Sequence, residues 1–88
     1  MFVGKVVGSI VSTRKNEKLI GSKFMIVESV MDGSKEKLVA VDNIGAGIGE
    51  IVLVATGSAA RIGYKSSDAP IDAAIVGIVD DGVGLSGM

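Results

Sequence analysis

Carboxylates are the side chains that this sequence leaves for acid–base chemistry. The 88-residue chain contains 0 cysteines and 0 histidines, which excludes thiol nucleophiles, histidine-based triads and the usual zinc ligand sets. The carboxylates between the predicted elements are scattered along the chain: Asp42, Glu50, Asp68 and Asp72. We therefore expect no catalytic residue, no metal site and no cofactor. A small carboxylate-only hydrolase stays open as an alternative that nothing in the pattern favours.

The densest glycine cluster, Gly45-Ala46-Gly47-Ile48-Gly49, is the only candidate for a phosphate-binding loop. A dinucleotide fingerprint needs G-x-G-x-x-G between a strand and a helix, so that the phosphate meets a helix N-terminus. Here the spacing is G-x-G-x-G and the cluster leads into the apolar run IVLVA. We interpret it as a tight connection between two strands.

Nucleic-acid binding needs a basic groove and aromatic stacking surfaces. The net charge is -1 with a pI near 5.2, and the aromatic residues are only Phe2, Phe24 and Tyr64. Basic residues cluster at Arg14, Lys15 and Lys18, but Glu17 interrupts them. The cluster is typical of a solvated loop, so we expect no nucleic-acid partner. Apolar runs are shorter than the about 18 residues of a membrane span, and no targeting segment is visible, which predicts a soluble cytoplasmic protein without membrane contact.

Five segments have the composition of strands, and one short segment is typical of a helix. The strands are predicted over residues 2–11, 23–30, 38–42, 51–55 and about 73–79, with a polar loop at 12–21. By the two-residue period, the face of the first strand that should point into the core is Phe2, Gly4, Val6, Gly8 and Ile10. Residues 58–62 predict a helix with Ser58 as N-cap and Gly63 as C-terminal stop. Arg61 on this helix is placed to pair with Asp72 or Asp68 in a structural role.

This order of elements predicts a compact mainly-β barrel or sandwich, with one domain over residues 1–82 and a short flexible tail at 83–88. Hydrophobic residues make up 48% of the chain, and the last two strands are apolar on both faces. A domain this small has too little core to bury both faces. The apolar excess therefore predicts self-association.

Four phrases in order resemble the EutN/CcmL family of bacterial microcompartment vertex proteins. They are GKVVGSIVSTRK near the N-terminus, LIGSKFMIV at 19–27, AVDNIGAGIGEIVLVATGSAAR at 40–61 and PIDAAIVGIVD at 70–80. The resemblance implies a small five-stranded OB-like β-barrel with one short helix after the fourth strand. It also implies a pentamer that caps five-fold vertices of a shell in the bacterial cytoplasm, with hexameric shell proteins as partners.

Within that resemblance, the glycine cluster and its flanks are expected at a subunit interface or axial pore, because small residues let symmetry-related backbones approach closely. These residues are Asn43, Ile44, Gly45, Ala46, Gly47, Ile48, Gly49 and Glu50. An OB-like fold also keeps one alternative open, a module that binds single-stranded nucleic acid.

Overall fold

A computed structural model describes residues 1–11, 16–31, 33, 35–62 and 70–80. The described strands are β1 (Phe2–Ile10), β2 (Lys23–Ser29), β3 (Lys37–Asp42), β4 (Ile51–Thr56) and β5 (Ala73–Ile78). A helix, α1 (Ser58–Ile62), follows β4, and a 3-10 turn covers Glu17–Leu19. Each predicted strand therefore exists, with ends that differ from the prediction by one residue at most.

The five strands close into a barrel in the order β1-β2-β3-β5-β4. All neighbouring strands are antiparallel except β3 and β5, which run parallel and pair only through Val41 with Ala74 and Asp42 with Ile75. This closed barrel with one short helix after the fourth strand confirms the predicted fold class. Its strand order is that of a small Greek-key barrel of the OB type.

The barrel core consists mainly of small and β-branched side chains. The buried residues of this inner cluster are Val6, Met25, Val27, Ala40, Ala46, Val52, Val54, Ala73 and Ile75. Gly4 lets β1 approach β2 closely here, since a Cβ at this position would overlap Val27 Cγ1. The absence of a side chain at Gly4 is thus a packing requirement of the narrow barrel.

A β-bulge at Val7 corrects the predicted core face of β1. Val6 pairs with Val27, but Gly8 pairs with Ile26, so one residue of β1 has no partner on β2. An extra residue reverses the inward and outward positions that follow it. Gly8 and Ile10 therefore lie on the outer face with Ile26 and Phe24, and the prediction that they point into the core is wrong.

A second cluster lies outside the barrel, under α1. Its buried members are Val41, Ala60, Ile71 and Ala74, with Leu19 and Phe24 packed against them. Leu19 belongs to the 3-10 turn, which Asn16 caps by accepting the amide of Lys18 at 2.9 Å. Part of the segment predicted as a loop is therefore ordered and packs on the barrel.

Helix α1 has the predicted bounds, but Ser58 is its first helical residue and the residue before it is Gly57, at φ 64°. The predicted stop at Gly63 lies outside the described residues. So do Arg14 and Lys15 of the basic cluster, Asp68, and the predicted tail at 83–88.

Candidate functional site

The loop between β3 and β4, residues 43–50, contains the predicted interface residues and is called the anchored loop. It follows Asp42, the last residue of β3, which is buried with only 2% of its surface exposed. Asp42 Oδ1 accepts the amides of Ile44 at 3.0 Å and Gly45 at 3.2 Å, and Oδ2 accepts the amide of Ala46 at 2.8 Å. One carboxylate thus satisfies three consecutive backbone donors, which fixes the start of the loop.

The end of the anchored loop is fixed by Glu50 and by β1. Glu50 Oε1 accepts the amide of Gly47 at 2.6 Å. The backbone of Val6 donates to the Glu50 carbonyl at 2.9 Å and accepts from the Gly49 amide at 2.8 Å. Two carboxylates and one strand therefore hold the loop at both ends.

Two glycines make the shape of the anchored loop possible. Gly45 and Gly49 have φ of 91° and 95°, a region that side chains disfavour. Gly47 is not in that region, and a Cβ there would lie 3.4 Å from Glu50 Oε1. A single methyl at Gly47 would therefore be in van der Waals contact with Glu50 without a clash.

The anchored loop points one apolar side chain inward and two outward. Ala46 is only 1% exposed and packs with the inner cluster of the barrel. Ile44 and Ile48 are exposed, Ile48 by 66%, and Asn43 is exposed beside them. The loop thus presents large apolar side chains on a rigid backbone at the barrel end.

A groove of about 370 Å³ adjoins the anchored loop and is called the β1–β2 groove. Its lining comes from the end of β1, the start of β2 and the loop: Ser9, Ile10, Val11, Ser22, Lys23, Phe24, Met25, Ala46, Gly47 and Ile48. Val11, at its edge, is 90% exposed. An exposed apolar groove of this kind is typical of a surface that another protein chain covers.

The remaining predicted residues, Ser58, Arg61 and Asp72, lie together at α1. Arg61 Nη1 donates to the Ile71 carbonyl at 3.0 Å, and the Gly57 amide donates to the Asp72 carbonyl at 2.8 Å. In the part of the chain that the structure describes, Arg61 makes no ion pair with Asp72, so its role here is to tie the helix to the segment before β5. Asp68 lies outside the described residues.

The described residues offer no evident chemistry. They contain no group of three or more His, Cys, Asp or Glu side chains placed to hold a metal ion. Phe2 packs against the inner cluster and Phe24 against the outer one, so these two rings are committed to packing. None of the described helices is long and apolar enough to cross a membrane.

Asp42 and Lys23 are the residues that sequence reasoning missed. Asp42 lies at a strand end before Asn-Ile-Gly, and an aspartate that precedes a glycine-containing turn often accepts the following amides. That signal was available for Asp42. Lys23 lines the β1–β2 groove, and no local signal in the sequence marks that position.

Comparison with known proteins gives one consistent family. The family model for "Ethanolamine utilisation protein EutN/carboxysome" matches residues 1–80. The chain is 49% identical over 85 residues to the bacterial microcompartment shell vertex protein GrpN of Rhodospirillum rubrum (strain F11), covering 91% of this chain and 93% of the relative. It is 44% identical over 87 residues to the shell vertex protein PduN of Salmonella typhimurium (strain LT2), covering 91% and 96%.

The solved structures agree with these sequence matches. The pentameric microcompartment shell protein GrpN from Rhodospirillum rubrum superimposes with a TM-score of 0.79 at 49% identity, covering 91% of this chain and 94% of that one. The sequence and structure comparisons therefore agree on one family and one fold.

Proposed function

The chain belongs to the EutN/CcmL family, and from that premise we propose that it forms pentamers that cap the five-fold vertices of a polyhedral bacterial microcompartment shell. The observation that carries the proposal is the near-complete match to a shell vertex protein whose solved structure is pentameric. The family resemblance drawn from the four sequence phrases is confirmed by the same comparisons.

A pentamer would account for the exposed apolar surface, because contacts between subunits would cover it. A sheet of hexagonal tiles is flat, and closure into a polyhedron requires five-fold corners. A cyclic ring of identical subunits supplies such a corner and closes on itself without growing a filament. It also covers apolar side chains such as Ile48 and Val11, which the isolated barrel leaves in water.

We place the anchored loop at the interface near the five-fold axis. One support is the hydrogen bonding of the backbone to the carboxylates of Asp42 and Glu50. The other is the lack of side chains at Gly45, Gly47 and Gly49, which leaves little bulk between neighbouring backbones. Neighbouring copies can then approach closely around the axis without the backbone having to order on assembly. Asn43 and Ile44 would line any axial opening.

The remaining parts of the proposal follow from the vertex role. The partners are hexameric shell proteins, the location is the shell in the bacterial cytoplasm, and the protein has a structural role without catalysis. The barrel domain comprises residues 1–82, with 83–88 as a tail. The comparisons support a structural role, since the relatives are shell vertex proteins and the matching family is not a catalytic one.

The alternative of a single-stranded nucleic-acid binder is disfavoured by the packing of the aromatic rings. Base stacking needs exposed rings, whereas Phe2 and Phe24 are half-buried against the two clusters. Fluorescence anisotropy with a labelled single-stranded oligonucleotide at low salt should show no binding.

Native mass spectrometry of the purified protein tests the oligomeric state. We expect a dominant species at five times the 8.9 kDa subunit mass. A persistent monomer across micromolar concentrations would contradict the proposal and would leave the exposed apolar surface unexplained.

Co-expression with hexameric shell proteins of one compartment tests the vertex role. With the chain present we expect closed polyhedral particles by electron microscopy, and without it open sheets or tubes. Closed particles of the same size and yield without the chain would contradict a capping role.

A further inference from the structure

We propose that, within the ring assumed by the proposed function, the β1–β2 groove of one subunit receives the α1 face of the next, with Lys23 opposite Asp72. The α1 face is defined as Val39, Pro70 and Asp72, which line one small groove next to the outer cluster. The occupant of the groove is thus a second copy of this chain. The inference rests on the proposed pentamer and adds to it the two surfaces that meet.

The groove side contains an uncovered strand edge. β1 pairs with β4 only from Phe2 to Lys5, and Val6 then bonds to Gly49 and Glu50 of the anchored loop. Beyond Val6, the rest of β1 pairs only with β2 among the described strands. An edge that carries exposed apolar residues such as Val7 and Ile10 is normally covered by another element.

The α1 face is a second exposed apolar surface, held rigid by hydrogen bonds to the barrel. Val39 of this face is exposed on β3. Arg61 and Gly57 bind the carbonyls of Ile71 and Asp72, which fixes the helix relative to the segment before β5. Asp72 lines a smaller groove of about 200 Å³.

The positions of the two surfaces suit a ring. A cyclic assembly of odd order uses heterologous contacts, in which two different patches of the same chain meet. The outer cluster under α1 contains Val41 of β3 and Ala74 of β5, the two strands that are not neighbours of β1 in the closed barrel. The α1 face and the β1–β2 groove therefore lie on different strands and are neighbours around the barrel, with Phe24 lining both grooves.

Charge selects this pairing. Lys23 is the charged residue that lines the β1–β2 groove, and Asp72 is the charged residue that lines the smaller groove beside α1. Both are exposed, and within the described ranges neither side chain takes part in an ion pair. Opposite charges on two apolar patches favour contact between them and disfavour contact of each patch with itself.

Charge reversal tests the pairing. Lys23→Glu and Asp72→Lys each place like charges across all five contacts of the ring. At a concentration where the unaltered protein is pentameric and at low salt, we expect each single variant to lose most of its pentamer by native mass spectrometry. At 1 M salt, where the Debye length is about 3 Å, we expect part of the pentamer to return.

The double variant, Lys23→Glu with Asp72→Lys, restores opposite charges at every contact, and we expect it to regain the pentamer. A mixture of the two single variants adds a geometric check. Favourable contacts then require the variants to alternate, which a ring of odd number cannot do throughout. We expect open species in which the two variants alternate, such as one copy of each, and few closed pentamers.

Matched controls lie at the opposite end of the barrel. Lys35→Glu and Glu36→Lys change charge by the same amounts in the connection between β2 and β3, and we expect both to remain pentameric. Circular dichroism tests whether each variant is folded. Association of the two single variants in the mixture is a second sign that both are folded.

The outcomes separate the two proposals. A pentameric starting protein whose single variants are also fully pentameric overturns the pairing while leaving the vertex function standing. A double variant that stays dissociated although both single variants associate in the mixture overturns it too. A monomeric starting protein contradicts the proposed function itself.

Discussion

The anchored loop and the outer cluster under α1 each hold chain segments on the barrel, but they use different interactions. In the anchored loop, the carboxylates of Asp42 and Glu50 accept four backbone amides, and Ala46 is the only side chain that enters the inner cluster. In the outer cluster, the apolar side chains of Val41, Ala60, Ile71 and Ala74 pack together, and among the described residues no carboxylate organises the backbone there. Hydrogen bonds from Arg61 and Gly57 to the carbonyls of Ile71 and Asp72 add to this packing.

This difference suggests that the interactions of the anchored loop mainly define its backbone conformation, whereas those of the outer cluster mainly stabilise the folded chain. Hydrogen bonds that backbone amides donate to a buried carboxylate define one backbone path, because each unmade bond would leave a donor unsatisfied. Apolar packing contributes free energy roughly in proportion to the area removed from water, with less demand on direction. We therefore expect changes under α1 to lower the free energy of unfolding and changes in the anchored loop to alter assembly.

The largest expected effect is at Ile71. Ile71→Ala should lower the free energy of unfolding by about 2–4 kcal/mol, because it leaves a cavity in the outer cluster. Denaturant unfolding at one fixed subunit concentration measures it, since association contributes to apparent stability. Ile71→Val is the graded control and should cost about 1 kcal/mol. Equal effects of the two changes would show that α1 does not pack on this side chain.

A smaller loss of stability but a sharper local effect is expected at Asp42. Asp42→Ala leaves three amides without their acceptor and should cost about 2–3 kcal/mol. Hydrogen exchange should show faster exchange at the amides of Ile44, Gly45 and Ala46 than in the unaltered chain.

Asp42→Asn is the matched control for this experiment, because its single carbonyl oxygen retains part of the acceptor capacity. Its exchange rates should fall between those of the unaltered protein and of Asp42→Ala. Unchanged protection in Asp42→Ala would contradict the role of Asp42 as the anchor of the loop.

The smallest effect on stability is expected at Gly47, where the effect on assembly is large. Gly47→Leu should change the free energy of unfolding of the monomer by about 1 kcal/mol or less, since φ at this position suits side chains. The bulky side chain at the proposed axis should nevertheless prevent pentamer closure in native mass spectra. Gly47→Ala should retain the pentamer, and a normal pentamer from Gly47→Leu would contradict the placement of the loop.

Much of the barrel was predictable because its signals are local. Runs rich in Val and Ile between glycine-containing connections predicted all five strands, and SAARI predicted α1 with its bounds. The bulge at Val7 was not predictable, because an extra residue has no signature in a strand whose two faces are both apolar. That single residue decides which face Gly8 and Ile10 occupy.

The candidate site was predictable in position but not in mechanism. The glycine cluster marked the anchored loop, while its anchor at Asp42 was counted among scattered carboxylates. Apolar character on the outer face of β5 was assigned to a subunit interface, yet at Ala74 that face is covered by α1 of the same chain. Composition measures how much apolar surface exists and does not say which element covers it.

The class of the molecule followed from residue types and their order along the chain. Absent cysteines and histidines, five short apolar strands and four family phrases led to a vertex protein with a β-barrel and no evident catalytic site, since each of these properties depends on residue type and short-range spacing. The folded structure was needed to show that Asp42 fastens the anchored loop, that the bulge at Val7 reverses the end of β1, and that Lys23 and Asp72 line two neighbouring grooves. These facts depend on contacts between residues far apart in the chain, which closure of the barrel brings together.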